Sequence, residues 1–297
     1  MTVNDGLKFF AVIAAAALCI IRCPGATKFR GVEYSGRRQF DLSVPDGKGP
    51  HPCVIYFHGG AWKNGDRRKC PDAKIFLQRG IAFASVDYRL TDGGRNPFPA
   101  QIIDCREAVA FLHRHAAEYG LDTRRFAVAG GSAGGHLASL VALTAGSDPF
   151  RGGKSADDPG WRIAAAVDFF GPSDLVTIGK ETAVRPGGLK AQPQFAILRD
   201  FFGTDDLEEM ARLAAGASPL TYISGTPPPP PFFIAHSTGD PVVPYSQSER
   251  LAKRLESVGT KVDFRTYGLK RHAVPPEAWS AALDFLTEVF RLKSSDL

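Results

Sequence analysis

Phe126-Ala127-Val128-Ala129-Gly130-Gly131-Ser132-Ala133-Gly134-Gly135-His136 changes character at its middle. The first four residues are an apolar run of the kind that forms a buried strand, and Ala133 through Leu140 carry a helical pattern. Between them Gly130 to Gly134 spell G-x-S-x-G. A serine at such a place needs a sharp strand-to-helix turn that lifts its hydroxyl above the sheet edge, and small neighbours let that turn close. The five residues alone are a weak signal, but between a strand and a helix they become specific. A phosphate-binding loop is the competing reading of so many glycines, and no Lys-Ser/Thr pair completes one here.

Strands and helices alternate on both sides of this turn. Gln39 to Val44, Cys53 to Phe57, Ile81 to Val86, Ile163 to Phe169 and Phe232 to Ala235 are further strand-like runs, the last entered from the prolines Pro227 to Pro231. Val262, Phe264 and Thr266 alternate with polar residues as one more strand. Ile102, Cys105, Val109, Leu112 and Ala116 recur at helical spacing, as do Leu251, Leu255 and Val258, and Trp279, Leu283 and Leu286 mark a final helix. Apolar rather than alternating strands suit a mostly parallel, twisted sheet with helices on both faces, a single α/β domain over residues 27–297. Gly171 to Thr226 breaks the rhythm with Gly and Pro and one helical stretch near Asp206 to Ala215. It is expected to be a cap-like insertion after the sixth strand, over one end of the sheet, where substrate contacts concentrate.

Composition sets the outer bounds. With 297 residues, 44% hydrophobic and 23% charged, the chain is an ordinary globular protein rather than a disordered or fibrous one. The net charge of +5 invites a nucleic-acid reading, but the densest basic cluster is Arg67-Arg68-Lys69 and no recognition motif accompanies it, so nucleic acid is not expected as a partner. Lys8 precedes the apolar run Phe9 to Ile21, which is shorter than the ~20 residues a bilayer span needs and matches a signal-peptide core. Residues 1–26 are therefore expected to be an export leader with no stable membrane span, and the site of action periplasmic or secreted. The leader holds Cys19 and Cys23; Cys53 sits in a strand as a buried thiol, while a Cys70–Cys105 pair stays open. No C-x-x-C or H-E-x-x-H spacing suggests a metal, and no cofactor is expected.

A serine elbow needs partners. Backbone donors for an oxyanion are expected from Gly59, Gly60 and Ala61, directly after the strand Cys53 to Phe57, with one more from Ala133. His58 reads as a structural residue of that loop. In chain order the acid and then the histidine follow the serine. His136 lies one turn along the elbow helix and His236 ends a strand with another still to come, which leaves His272, after the last strand, as the base. Asp240 follows Phe232 to Ala235 and is favoured as the acid; Asp174, in Gly171-Pro172-Ser173-Asp174, is the rival. Asp168 lies inside an apolar run and reads as satisfying a buried partner. Trp62 either narrows an acyl pocket or packs under its loop, and Trp161, Phe169 and Phe170 form either a sugar-stacking wall or core.

His58-Gly59-Gly60-Ala61-Trp62, Asp87-Tyr88-Arg89, Gly130-Gly131-Ser132-Ala133-Gly134-Gly135-His136, Ser218-Pro219 and Gly239-Asp240-Pro241-Val242-Val243-Pro244 occur in one order. From Gln39 to Arg291 the chain resembles the α/β-hydrolase superfamily, and within it the bacterial carbohydrate esterases similar to acetyl xylan and feruloyl esterases, near the hormone-sensitive-lipase-like enzymes. The resemblance implies an α/β-hydrolase fold, a triad of Ser132, Asp240 and His272, and an oxyanion loop over Gly59 to Ala61. It departs from that pattern at Ala273, where glycine commonly follows the histidine, and at Ala61, the third glycine of the lipase-type motif. It implies a serine carboxylesterase for short acyl esters such as acetyl or feruloyl groups on carbohydrates, working through an acyl-enzyme. Arylformamidases resemble the same family, which makes amide hydrolysis the alternative, followed by a non-catalytic binding domain.

Overall fold

The computed structural model describes residues 19–23, 25–147, 149–150, 161–181 and 193–292. Nine strands form one sheet: β1 Cys19–Cys23, β2 Ala26–Ser35, β3 Arg38–Pro45, β4 His51–Phe57, β5 Ala82–Val86, β6 Leu121–Gly131, β7 Ala165–Phe169, β8 Phe232–Ser237 and β9 Val262–Tyr267. Their order is β1-β2-β3-β5-β4-β6-β7-β8-β9. The first three are antiparallel, and β3 runs antiparallel to β5; from β5 across to β9 every pairing is parallel. Gly36 and Arg37, at φ 46° and 68°, make the two-residue β2–β3 turn. Two positive φ angles match the twist of the strands they join.

Nine α-helices accompany the sheet among the described residues: α1 Lys74–Leu77, α2 Ala100–Arg114, α3 Ala116–Tyr119, α4 Ala133–Leu143, α5 Ile178–Glu181, α6 Pro193–Phe202, α7 Leu207–Ala217, α8 Tyr245–Ser257 and α9 Pro276–Val289. They explain why the inner strands are apolar throughout. Cys53, Ile55 and Phe57 of β4 face one side with Phe126 and Val128 of β6, under Ile102, Val109 and Leu112 of α2, Leu137 and Leu140 of α4, and Leu251 and Leu255 of α8. Val54 and Tyr56 face the other with Ala127 and Ala129, under Phe76 of α1 and Ala278, Ala282, Leu283 and Leu286 of α9. Alternate side chains of each strand thus find an apolar partner on opposite faces.

The strands read from the sequence are present, and the patterning does not signal two others. β2 carries Lys28, Arg30 and Glu33 and shifts register between Phe29 and Val32, which breaks its alternation. β1 falls in the segment read as a leader; residues 1–18 and 24 of that segment lie outside the described ones. The rhythm-breaking stretch follows β7, the sixth strand counted from β2. Its expected helix is α7, capped by Asp206, whose carboxylate accepts from Glu209 N–H at 2.8 Å. α5 and α6 lie in the same stretch and had no sequence signal, and residues 182–192 between them are outside the description. Cys53 and Cys105 are buried and Cys70 half-buried, all three as free thiols. Among the described residues no helix is long and apolar enough to cross a membrane.

The face under α9 can be tested at one ring. Phe76 is fully buried, stacked 4.4 Å from Phe83 and edge-on to Trp279 at 5.8 Å. Phe76→Ala is expected to cost about 3–5 kcal/mol of unfolding free energy in urea. A loss below about 1 kcal/mol would mean that α1 does not seal this face.

Candidate active site

Ser132 sits between the end of β6 and the start of α4 at φ 57°, ψ −124°. A non-glycine residue there costs of order 1–3 kcal/mol and persists only where the surroundings over-determine it. Here they do. Ser132 N–H donates to Phe169 O at 2.9 Å and Ser132 O accepts from His136 N–H at 3.0 Å. Gly134 lets α4 press onto β4, since a Cβ at that position would lie 2.0 Å from Phe57 O. Gly130 meets the Gly134 carbonyl so closely that a Cβ would come within 2.3 Å.

The next two groups arrive on loops at the C-terminal edge of the same sheet. His272, between β9 and α9, places Nε2 2.8 Å from Ser132 Oγ and Nδ1 2.7 Å from Asp240 Oδ2. With Asp240 ionised, the Nδ1–H donates to the carboxylate and Nε2 is left to accept from the serine hydroxyl. Asp240 follows β8, and its Oδ1 accepts from the N–H groups of Val242 and Val243 at 2.8 and 3.1 Å. His236 Nε2 lies 3.3 Å from Oδ2. Burial pushes the Asp240 carboxyl up, but the contacts from His236, His272 and Val242 N–H outweigh it and hold the group well below the usual carboxylate range. The structure therefore brings Ser132, His272 and Asp240 into one chain. Asp174 is elsewhere, accepting from Val176 N–H, Thr177 N–H and Thr177 Oγ.

The four oxyanion candidates divide. Ala61 and Ala133 line a pocket together with Ser132. Ala133 opens α4, where an N–H has no acceptor within the helix. Gly59 packs on the elbow, a Cβ there falling 2.8 Å from Gly131 O. Gly60, at φ 120°, accepts from Lys63 and Asn64 N–H through its carbonyl and turns the loop. Ala61 and Trp62 follow at φ 53° and 57°.

Trp62 both packs and lines. It is buried, stacked 4.1 Å from Phe201 of α6, and its Nε1–H donates to His136 Nδ1 at 3.2 Å. His136 Nε2–H in turn donates to Ala217 O at 2.7 Å. Burial lowers the His136 pKa to about 4 against the pull of the Ala217 carbonyl, so the ring is neutral at pH 7 and its tautomer is set by these two partners. One imidazole thus ties the loop of Trp62, the elbow helix and the end of α7 together. His58 stacks 4.3 Å from Tyr88 and bonds Gly59 O through Nδ1, as a loop residue should. Asp168, buried, accepts from Ser139 Oγ and Gly171 N–H. Trp161 and Phe169 are core; Phe170 is half-buried, its ring centroid 4.7 Å from that of His272.

The pocket beside Ser132 encloses about 50 Å³ and is almost wholly apolar. Pro172, Ile178, Ile197 and Leu198 of the insertion wall one side, with Val242 and Val243 from the Asp240 loop. No motif marks the insertion residues. Val242 and Val243 could have been found from the sequence, because a segment that delivers the acid to the site also delivers its next two side chains.

A depressed carboxylate contributes stability that is complete above its unfolded pKa of about 3.9 and is lost as pH falls below it. Asp240→Asn is therefore expected to flatten the decline in urea stability between pH 5 and pH 2. An unchanged decline would show that Asp240 is not held in its charged form.

Comparison with known proteins agrees with this architecture. The BD-FAE family model matches residues 40–255. The probable carboxylic ester hydrolase LipM of Mycobacterium tuberculosis is 33% identical over 71% of this chain and 46% of its own length, and the esterase LipQ of the same organism is 30% identical over 70% and 46%. The chain thus spans about half the length of the curated relatives it matches. A truncated carbohydrate esterase from gut microbiota superposes with a TM-score of 0.73 at 24% identity, covering 88% of this chain and 95% of that one. An acetyl ester-xyloside bifunctional hydrolase from Caldicellulosiruptor lactoaceticus gives 0.68 at 22% identity, covering 86% and 88%. At those identities the likeness speaks for the fold, the α/β-hydrolase fold. From the family match across most of its length, the chain belongs to the BD-FAE family.

Proposed function

We propose that the protein is a serine carboxylesterase that removes short acyl groups, acetyl above all, from carbohydrate esters. One observation carries it: the Ser132–His272–Asp240 chain, at 2.8 and 2.7 Å, opens beside a small apolar pocket. In this reading Ser132 Oγ attacks the ester carbonyl while His272 Nε2 takes its proton. Ala61 and Ala133 N–H hold the oxyanion, and Asp240 keeps the imidazole in the right tautomer and stabilises the imidazolium. The alcohol leaves with the proton from His272, and water, activated by the same nitrogen, releases the acid from the acyl-enzyme.

Size argues for a short acyl chain. The pocket of about 50 Å³ beside Ser132 is lined by apolar side chains and suits a small apolar acyl group. Acetyl is the acyl group this wall suits best, with a feruloyl group as the larger competitor. For the alcohol half, the carbohydrate esterases among the solved structures support a sugar. So does a separate polar groove of about 840 Å³ lined by Lys63, Asp92, Arg95, Asn96 and Asp200, which begins one residue after Trp62 and two after Leu198.

Hydrolysis of p-nitrophenyl acetate, butyrate and decanoate tests this. The acetate is expected to turn over and the decanoate to fail. Ser132→Ala should abolish turnover and Asp240→Asn should lower kcat by about 10⁴-fold. Full activity in Ser132→Ala, or formamide turnover above acetate turnover, would overturn the ester reading. The apolar run Phe9 to Ile21 further supports export. Export requires a mature N-terminus beyond Ile21, which N-terminal sequencing of the protein from the extracellular or periplasmic fraction would find. An intact cytosolic N-terminus would overturn it.

A further inference from the structure

β7 ends at Phe169, whose ring packs in the core 4.3 Å from Trp279. The next residue leaves the extended backbone: Phe170 has φ 45°, the left-handed region that a bulky side chain disfavours because Cβ crowds its own carbonyl. Glycine would adopt this turn without that cost. The turn's hydrogen bonds, Phe170 N–H to Ala235 O and Ser132 N–H to Phe169 O, both 2.9 Å, use only backbone atoms. The benzyl group is thus not needed to form the turn, yet the turn carries it at a cost.

The ring's position gives the reason. It stands at 66° to the His272 imidazole, 4.7 Å between centroids, an edge-on contact of the favourable kind. Its tip rests against the elbow, where a Cβ on Gly131 would lie 3.3 Å from Phe170 Cζ. His236, the other imidazole near Asp240, is 6.3 Å away. Phe170 does not line the pocket beside Ser132. We propose that Phe170 is a positioning residue for His272, a flank support that keeps the imidazole in line between Ser132 Oγ and Asp240 Oδ2. The proposal rests on the esterase reading above. Two hydrogen bonds hold the ring at its nitrogens, and the His272 side chain remains 22% exposed on its open side. Once Ser132 is acylated its hydroxyl no longer donates, and of the contacts described here Asp240 and Phe170 are left to hold the base for the second half of the cycle.

The test compares Phe170→Leu, Phe170→Gly and Phe170→Tyr with wild type on p-nitrophenyl acetate. Loss of the ring is expected to lower kcat about 10–100-fold with KM nearly unchanged, since small misplacements of a catalytic group cost that much. Phe170→Gly should lose rate even though it relieves the backbone, and Phe170→Tyr should keep it within about threefold. Normal kcat in both Phe170→Leu and Phe170→Gly would overturn the proposal and leave the esterase reading standing. A loss in all three variants, tyrosine included, would mark a structural role and overturn it as well. If wild type hydrolyses nothing, the esterase reading falls, and the proton resonance of His272 Nδ1–H decides the positioning claim. Its disappearance in Phe170→Leu and return in Phe170→Tyr would support the claim, and its persistence in Phe170→Leu would overturn it.

Discussion

Everything at the site depends on one unfavourable backbone conformation being held in place, that of Ser132 at φ 57°. The turn survives because helix α4 cannot move away from strand β4 without opening the contact between Gly134 and Phe57 O, and cannot come closer than its missing Cβ allows. Phe169 O fixes the serine N–H from the neighbouring strand. The strain is local, while the restraint is spread over β4, β6, β7 and α4, whose side chains are buried in the two core clusters. That distribution lets a domain of marginal net stability keep a strained residue in a single conformation.

Parallel strands add the second constraint. Because β4, β6, β7, β8 and β9 run the same way, the loops that leave their C-terminal ends all emerge on one edge. The loop of Gly59 to Trp62, the elbow, Phe170, Asp240 and His272 lie on those five loops in turn. Residues separated by 140 positions, Ser132 and His272, meet with no long-range device beyond strand order. Electrostatics then sorts the polar groups. Asp240 is buried yet surrounded by donors, so it stays charged; His136 is buried beside one donor and one carbonyl, so it stays neutral.

Legibility in the sequence follows from the same physics. Inner strands such as Cys53 to Phe57 are apolar because both faces are covered, and that leaves a pattern a reader can find. The strand Ala26–Ser35, between β1 and β3, carries Lys28, Arg30 and Glu33 and shifts register between Phe29 and Val32, so its pattern dissolves. Ser132, Asp240 and His272 were readable because each stands at a fixed offset from a strand end. Phe170 stands at such an offset too, one residue past β7, but a phenylalanine after an apolar run looks like more core, and only its backbone angle separates it. Asp174 is a rival by position alone; its oxygens accept from Val176 and Thr177, whereas it is Asp240 whose Oδ2 reaches His272.

The walls of the pocket are the least legible part, and they bear most on substrate. Ile178, Ile197 and Leu198 stand at no motif of the segment between β7 and β8, a segment without a strand among its described residues, and that segment is held to the site where Phe201 stacks on Trp62 and Ala217 is tied to His136. Motif residues specify what bond can be broken; packing residues specify which molecule brings that bond within reach. The link between the two is the neutral His136 ring. It sits on the elbow helix, receives the oxyanion-loop tryptophan and holds the end of α7, so the insertion cannot shift without disturbing the loop that contributes Ala61. The pocket wall and the loop that carries Ala61 are therefore mechanically coupled. Under the esterase function proposed above, changes in the insertion that alter acyl preference should be felt at the carbonyl oxygen as well, which would make rate and selectivity hard to vary independently on this scaffold.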